Sequence, residues 1–600
     1  MLKQILRYFL VYKKYIGTRV YLVFVLSALA AFTEGIGIVM LLPLITAAGI
    51  DSDRLDVVEP AGMQAGLQSV LQRLGVAESI VGILLLIGAL FLIKGAIVFL
   101  SEAYRSHLQA RLNRDLTSLM FRQYGTMDYA YYSKRNTGHF VNIVSMQIRT
   151  MVMSFAHFKQ CMTIMIAAAA YVGMAFLIAW QFALMAVAAG LFLLLIFRGL
   201  NNYVHDLSRR SAHEQSVLNK FLVQTLQSFK YLVSTAQLRP LENAVMRSIH
   251  KLTGYIRRQG IAQALSLAMG EPVAILFVLL VVMIQVVVLE APLAPIFVAL
   301  ALFNRAMSSM LGMQQAWQLT LKQIGSLEIV EKEFEEVARH QQSSGHHEIK
   351  PFHRSLELRQ VGFAFDARSA EVLSDVSMVI PVNTTVAIVG PSGAGKSTLV
   401  DLLTLLLRPT RGEVLIDGVP GGEIESASWR SQIGYVSQET VVFDDTIANN
   451  ICLWNEDDER DAGARERIEH AARQAFADRF VQEMPEGYRT LVGDRGVRLS
   501  GGQRQRLFLA RELYKQPRFL ILDEATSALD SESEQYIRKS IDRLRGRVTV
   551  VLIAHRLSTV RHADCIYVLE NGRLVEQGSF ETLMSKPQGR FQRMARMQNL

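Results

Sequence analysis

Cysteine is scarce. The 600-residue chain holds three, Cys161, Cys452 and Cys565, far apart and without a CxxC pair. That count excludes a disulfide framework, and nothing in it suggests a thiolate metal site. No small-residue cleavage site follows the first apolar run, and residues 1–20 carry Lys3, Arg7, Lys13, Lys14 and Arg19. A secretory signal is therefore not expected. The stretch reads instead as an amphipathic elbow helix on the cytoplasmic membrane surface. Acidic charge is in slight deficit, giving a formal net charge of +9. The basic residues gather at the ends of apolar segments, where cytoplasmic loops attract Lys and Arg. The excess therefore argues for a membrane protein, and no nucleic-acid partner is expected.

Apolar residues are abundant. They make up 50% of the chain, concentrated before about residue 320, and the remainder reads like a soluble α/β protein. Six segments approach the ~20 apolar residues that a spanning helix needs: 21–50, 79–100, 161–180, 182–200, 272–289 and 295–313. The loops 101–160 and 198–258 are basic, whereas the loop after the first segment holds Asp51, Asp53, Asp56 and Glu59. By the positive-inside rule both long loops and both termini are cytoplasmic. Each long loop has helical periodicity and few Gly or Pro, so each is expected to be a helical hairpin projecting ~35 Å beyond the bilayer. Tips are expected near residues 127–135 and 228–237, placed to dock on a soluble domain. The expected division is an elbow helix (1–20), a six-helix membrane domain (21–320), a linker (321–354) and a nucleotide-binding domain (355–600).

In the soluble half, Gly390, Pro391, Ser392, Gly393, Ala394, Gly395, Lys396 and Ser397 fit GxxxxGK[ST]. They follow an apolar strand and, from Thr398 onward, run into a helical segment, which is the context a phosphate loop requires. Glycines let backbone N–H groups close on phosphate oxygens, and the helix N-terminus favours negative charge. Lys396 is expected to reach the β- and γ-phosphates and the Ser397 hydroxyl to bind Mg²⁺. The run 519–524 is an apolar strand ending in Asp523 and Glu524. That strand delivers Asp523 to Mg²⁺ and sets Glu524 to polarise the attacking water.

The run Leu499, Ser500, Gly501, Gly502, Gln503, followed by Arg504-Gln505-Arg506, resembles the signature sequence of ABC ATPases. Gln438 resembles that family's glutamine loop, the stretch ending at Asp530 its D-loop, His555 its switch histidine, and 490–496 an exporter-specific segment. The resemblance covers essentially the whole chain. It implies an α-helical six-span membrane domain plus an α/β P-loop ABC ATPase domain, using ATP and Mg²⁺. The nucleotide would be sandwiched between the phosphate loop of one subunit and the 500–502 backbone of another. With Glu524 and His555 intact, a homodimer with two competent sites is expected. Phe365 stands where the family often has an adenine-stacking Tyr; its ring face suffices for stacking. The glycine usual before the phosphate-loop strand is replaced around 381–384.

The fused order, membrane domain first, is similar to exporters of the type IV fold. Ionisable residues within spans are costly and point to function. Glu34, Lys94 and Arg305 fall within spans, with Arg257 and Arg258 at the cytoplasmic mouth. They read either as a cationic wall that grips an anionic head group, since Arg forks suit phosphate, or as an ion pair from Glu34 that merely fixes packing. The first span, and an amphipathic stretch at 65–74, resemble bacterial exporters of polysaccharide and lipid-linked oligosaccharide. The expected cargo is thus an amphipathic, lipid-linked substrate at the bacterial inner membrane; the alternative is a multidrug or peptide exporter.

Overall fold

The computed structural model describes residues 2–41, 43, 44, 69, 71–73, 75, 79–178, 180–283, 293–342, 344–365, 370–455, 462–524, 531–554 and 557–598. The chain divides into two compact units, residues 1–127 with 131–341, and residues 342–600 with 128–130.

The described residues of the first unit form helices. In α1 (Leu2–Ile16) the residues Ile5, Tyr8, Tyr12 and Ile16 recur at helical spacing and are buried. Tyr12 lies between Phe155 and Phe158, 5.2 and 5.3 Å from their ring centres. Gly17, at φ 73°, opens a short 3₁₀ turn that leads into α2 (Val20–Val39). Ser79 caps α3 (Ile80–Gly125) by accepting the Gly82 N–H at 3.1 Å. Then come α4 (Tyr129–Ser133), α5 (Thr137–Asn142), a π-helical turn at Ile143–Gln147, and α6 (Ile148–Ile178). The rest of the unit is α7 (Trp180–Gln227), α8 (Phe229–Ser234), α9 (Leu238–Met283) and α10 (Leu293–Arg339).

Among the described residues, four stretches are long and apolar enough to cross a membrane: Gln4–Val39, Ile80–Gly125, Thr137–Phe176 and Leu238–Leu280. The expected fourth and sixth spans lie on α7 and α10, helices of 48 and 47 residues. At about 1.5 Å per residue α3 alone runs for about 70 Å, against about 30 Å of hydrocarbon. The long helices therefore continue well past the bilayer. The chain breaks and reverses around 126–136 and 228–237, where α4 and α8 sit, with α5 following the first of them. The acidic loop 51–59 and most of 65–74 lie outside the described residues.

One boundary needs correction. Residues 321–354 were expected to be a linker, but α10 continues without a break to Arg339. Leu321, Ile324, Leu327, Val330 and Val337 are buried along it. Charged residues interspersed among them, the buried Glu333 included, dilute its apolar signal. Only 340–354 connects this helix to the first strand. Where α10 crosses α7 the backbones nearly touch: a Cβ on Gly325 would lie 2.6 Å from the Ser208 carbonyl oxygen. The Ser208 hydroxyl donates to the Lys322 carbonyl at 2.8 Å and accepts the Gly325 N–H at 3.1 Å.

Among the described residues, the second unit has two sheets. The antiparallel one has the order β2-β1-β4-β5: β1 (Ser355–Phe363), β2 (Leu373–Pro381), β4 (Arg411–Ile416) and β5 (Val419–Pro420). The other has the order β10-β9-β3-β8-β7-β6: β3 (Thr385–Val389), β6 (Ile433–Val436), β7 (Phe519–Asp523), β8 (Thr549–Ile553), β9 (Cys565–Glu570) and β10 (Arg573–Gly578). It is parallel apart from the β9–β10 pair. All five residues of β7 are buried. Leu520 and Leu522 pack into one core and Phe519 and Ile521 into the other, so both faces are covered and the strand reads as a continuous apolar run. Asn383, at φ 59°, makes the turn into β3. Asn tolerates the left-handed region better than most residues, so it can stand in for the usual glycine.

Candidate functional site

The phosphate loop leaves β3 and enters α11 (Lys396–Leu403). Gly393 and Gly395 have φ of 80° and 100°, a region that L side chains rarely enter. A Cβ on Gly395 would also lie 2.7 Å from the Leu373 side chain. Lys396 is buried and spans the loop, donating to the Gly390 and Pro391 carbonyls at 2.9 and 3.0 Å. Burial lowers the Lys396 pKa, while Glu524 and Asp523 act to raise it; the net shift is downward. This ammonium is ready to exchange two carbonyls for an anion.

A cavity of about 560 Å³ opens over the loop. Ser392, Lys396, Ser397, Thr398, Gln438, Asp523 and Glu524 are among its lining residues. The parallel pairing of β7 with β8 sets Asp523 opposite Ile553. Glu524 follows at φ 49°, its N–H donating to the Ile553 carbonyl at 2.9 Å. A non-glycine residue in that conformation costs on the order of 1–3 kcal/mol, and such residues cluster at working sites. Gln438 Nε2 donates to Glu524 Oε2 at 2.8 Å. Ser397, Gln438 and Asp523 thus offer a few oxygen donors at one wall. That set fits a Mg²⁺ that arrives on nucleotide phosphates and keeps several waters. No cage of three His, Cys, Asp or Glu exists among the described residues.

Two residues here escaped sequence reading. Burial, and then repulsion from Asp523, push the Asp401 carboxyl up to about 6. Arg511, on α12 (Gly501–Tyr514), is buried. It donates to the Asn450 and Val441 carbonyls at 2.6 and 2.7 Å and to Asn450 Oδ1 at 2.9 Å. Its guanidinium lies about 5 Å from both the Phe443 and Phe508 rings, at 5.2 and 5.3 Å. It pins the segment after Gln438 to the helix that begins at the signature.

That helix starts with a capping box. Ser500 Oγ accepts the Gln503 N–H at 3.2 Å, and Gln503 Oε1 accepts the Ser500 N–H at 2.8 Å. Gly501 is exposed, and a Cβ there would meet nothing within 4 Å. Among the described residues, nothing in this chain's own packing requires glycine at that position. Phe365 is exposed, edge-on to the buried Phe363 at 5.0 Å. His555 and Asp530 lie outside the described residues.

In the other unit, Glu34 on α2 is buried. It accepts from Lys94 of α3 at 2.8 Å, Tyr171 of α6 at 2.5 Å and Arg305 Nε of α10 at 2.7 Å. Three of the five cargo candidates are therefore together, and both cations are paired to one carboxylate. Arg257 and Arg258 stand exposed on α9 and make no ion pair with a described residue.

Two family models match this chain: the ABC transporter transmembrane region over residues 20–310, and the ABC transporter model over residues 373–527. The chain belongs to the ABC transporter family. Among its relatives, the heterocyst differentiation ATP-binding protein HepA of Nostoc sp. is 31% identical, over 84% of this chain and 81% of that protein. The ATP-dependent lipid A-core flippase of Pectobacterium atrosepticum is 29% identical, over 95% and 96%. Among solved structures, a bacterial Atm1-family ABC exporter with ATP bound has the same fold. Its TM-score is 0.79 at 23% identity, covering 98% of this chain and 99% of that one. This ABC transporter is thus an ATP-hydrolysing exporter with its helical membrane-spanning and α/β nucleotide-binding domains fused in one chain.

Proposed function

We propose that this ABC exporter works as a homodimer in the bacterial inner membrane and flips an anionic, lipid-linked substrate, a lipid-linked oligosaccharide or a related lipid. The observation that carries the cargo reading is the cluster around Glu34. Two cations face one carboxylate, and the Arg305 side chain remains 50% exposed although paired. The cluster therefore holds a surplus positive charge and an accessible guanidinium face, suited to a phosphate. Relatives named lipid A-core flippases support the same class.

The dimer reading rests on Gly501. A glycine at the first helical position with open space around it suits close approach by something outside the chain. In the dimer, the Ser500, Gly501 and Gly502 backbone of one copy covers the nucleotide on the phosphate loop of the other. Phe365 stacks on adenine, Lys396 takes the β- and γ-phosphates, and Thr398 continues the loop's helix. Ser397, Gln438 and Asp523 hold Mg²⁺, which neutralises phosphate charge when bound. Glu524 orients and deprotonates the attacking water, with Gln438 as its neighbour. His555 contacts the γ-phosphate, and Asp530 belongs to the segment between the two copies.

The test is the double variant Lys94→Gln, Arg305→Gln in lipid nanodiscs. Basal ATP hydrolysis is expected to persist while stimulation by anionic lipid-linked saccharides disappears. Unchanged stimulation and flipping would refute the anionic cargo and leave a multidrug or peptide exporter as the better reading.

A further inference from the structure

A second buried carboxylate, Glu333, lies on the cytoplasmic part of α10, far along the helix from Arg305. It is 4% exposed. Its Oε1 accepts the hydroxyls of Tyr124 and Tyr131 at 3.2 and 3.3 Å. Its Oε2 accepts from Arg135 Nη1 at 3.0 Å and His139 Nε2 at 2.9 Å. These four donors come from the end of α3, from α4, from the α4–α5 connection and from α5. Together they are the turn of the first long hairpin. Arg135 also reaches Glu336, and its guanidinium sits 4.5 Å from the Tyr131 ring centre. Tyr131 in turn stacks on His340 at 4.8 Å.

Local sequence builds the cluster. Asn136 caps α5 by accepting the His139 N–H at 3.0 Å, which fixes the backbone of the residue that donates to Oε2. Glu333 and Glu336 on α10, and His340 just past its end, lie three and four residues apart and so share one face. Burial alone would raise the Glu333 pKa, but the His139, Arg135 and Tyr124 donors outweigh it and hold the group below the usual range. The carboxylate is charged and fully engaged. A buried hub of this kind fixes one geometry, because removing its centre strands several donors at once.

The position of the hub is what matters. α10 runs into the 340–354 connection to the first strand, and Glu333 lies seven residues before position 340, where that connection begins. We propose that Glu333 is a positioning residue for coupling: it fastens the turn of the first hairpin to α10, so that motion of the ATPase unit moves both as one body. The inference holds whatever the cargo, because it concerns how hydrolysis reaches the membrane helices.

The test uses the full-length chain in nanodiscs. Basal ATPase is measured alongside hydrogen exchange of the membrane helices, with and without ATP plus vanadate. Glu333→Gln keeps the shape and removes the charge. It is expected to hydrolyse ATP within about twofold of wild type while losing at least half of the nucleotide-dependent exchange change in residues 80–110 and 293–320. His139→Gln, which keeps a donor, is expected to retain that change, whereas His139→Leu loses part of it. If Glu333→Gln fails to fold, Tyr124→Phe with Tyr131→Phe carries the same test. Wild-type exchange changes in whichever of these is measured overturn the proposal. So does loss of basal hydrolysis, because Glu333 would then serve the ATPase unit itself.

Discussion

The crossing of α7 and α10 at Gly325 makes a demanding case, because one substitution is expected to have opposite signs at two glycines. In Gly325→Ala the added Cβ meets the Ser208 carbonyl oxygen at 2.6 Å, its carbon at 2.9 Å and the Arg209 Cα at 3.1 Å. All three are main-chain atoms, so no side chain can rotate away. The helices must separate, which strains the two hydrogen bonds of the Ser208 hydroxyl. Overpacking of this kind costs about 1–3 kcal/mol. In Gly254→Ala the added Cβ meets nothing within 4 Å. There the helix gains about 0.5–1 kcal/mol, since glycine in a helix interior is that much worse than alanine. At about 2.1 cal/mol/K per residue, a cooperative unit of this size shifts its melting point by about 1–2 °C per kcal/mol. Thermal unfolding in nanodiscs, followed by intrinsic fluorescence, should lower the midpoint by about 1–6 °C for Gly325→Ala. It should raise the midpoint by about 1 °C for Gly254→Ala. Equal shifts of the same sign would refute the packing argument.

Other outcomes follow from the nucleotide-binding unit. Glu524→Gln is expected to cut ATP turnover by about 10²-fold or more while ATP binding persists, as read by steady-state hydrolysis and nucleotide trapping. Gly501→Val should leave the unfolding midpoint within about 1 °C of wild type, since its side chain enters open space, but abolish hydrolysis in the dimer; retained turnover would count against the sandwich. Arg511→Met strands the carbonyl and Oδ1 of the buried Asn450 and should cost about 1–3 kcal/mol, seen as early loss of structure in denaturant.

The phosphate loop was legible because strand, glycine turn and helix are contiguous, and each leaves its own mark between Thr385 and Leu403. Asp523 and Glu524 were legible for the same reason, ending an unbroken apolar strand. The end of α10 was misjudged because Glu328, Lys332, Glu335 and their neighbours make residues 321–339 look like a polar connector; only the burial of Leu321, Ile324, Leu327 and Val330 reveals the helix. The Glu333 hub was invisible for a different reason. Its donors lie about 200 positions upstream, and no local pattern distinguishes a tyrosine that will meet a carboxylate from one that will face solvent. Arg511 was hidden likewise, because two of its three acceptors are main-chain carbonyls, which every residue possesses. The Glu34 cluster was half legible: a carboxylate and two cations in apolar segments announce a pairing, but Tyr171 carries no such sign.

The unbroken course of α10 from Leu293 to Arg339 has an arithmetic consequence. Each residue turns a helix by about 100° and advances it by about 1.5 Å. Arg305 and Glu333 therefore keep a fixed phase, one engaged with Glu34 and the other with the first hairpin. Inserting a single residue between them would rotate one anchor away whenever the other was seated.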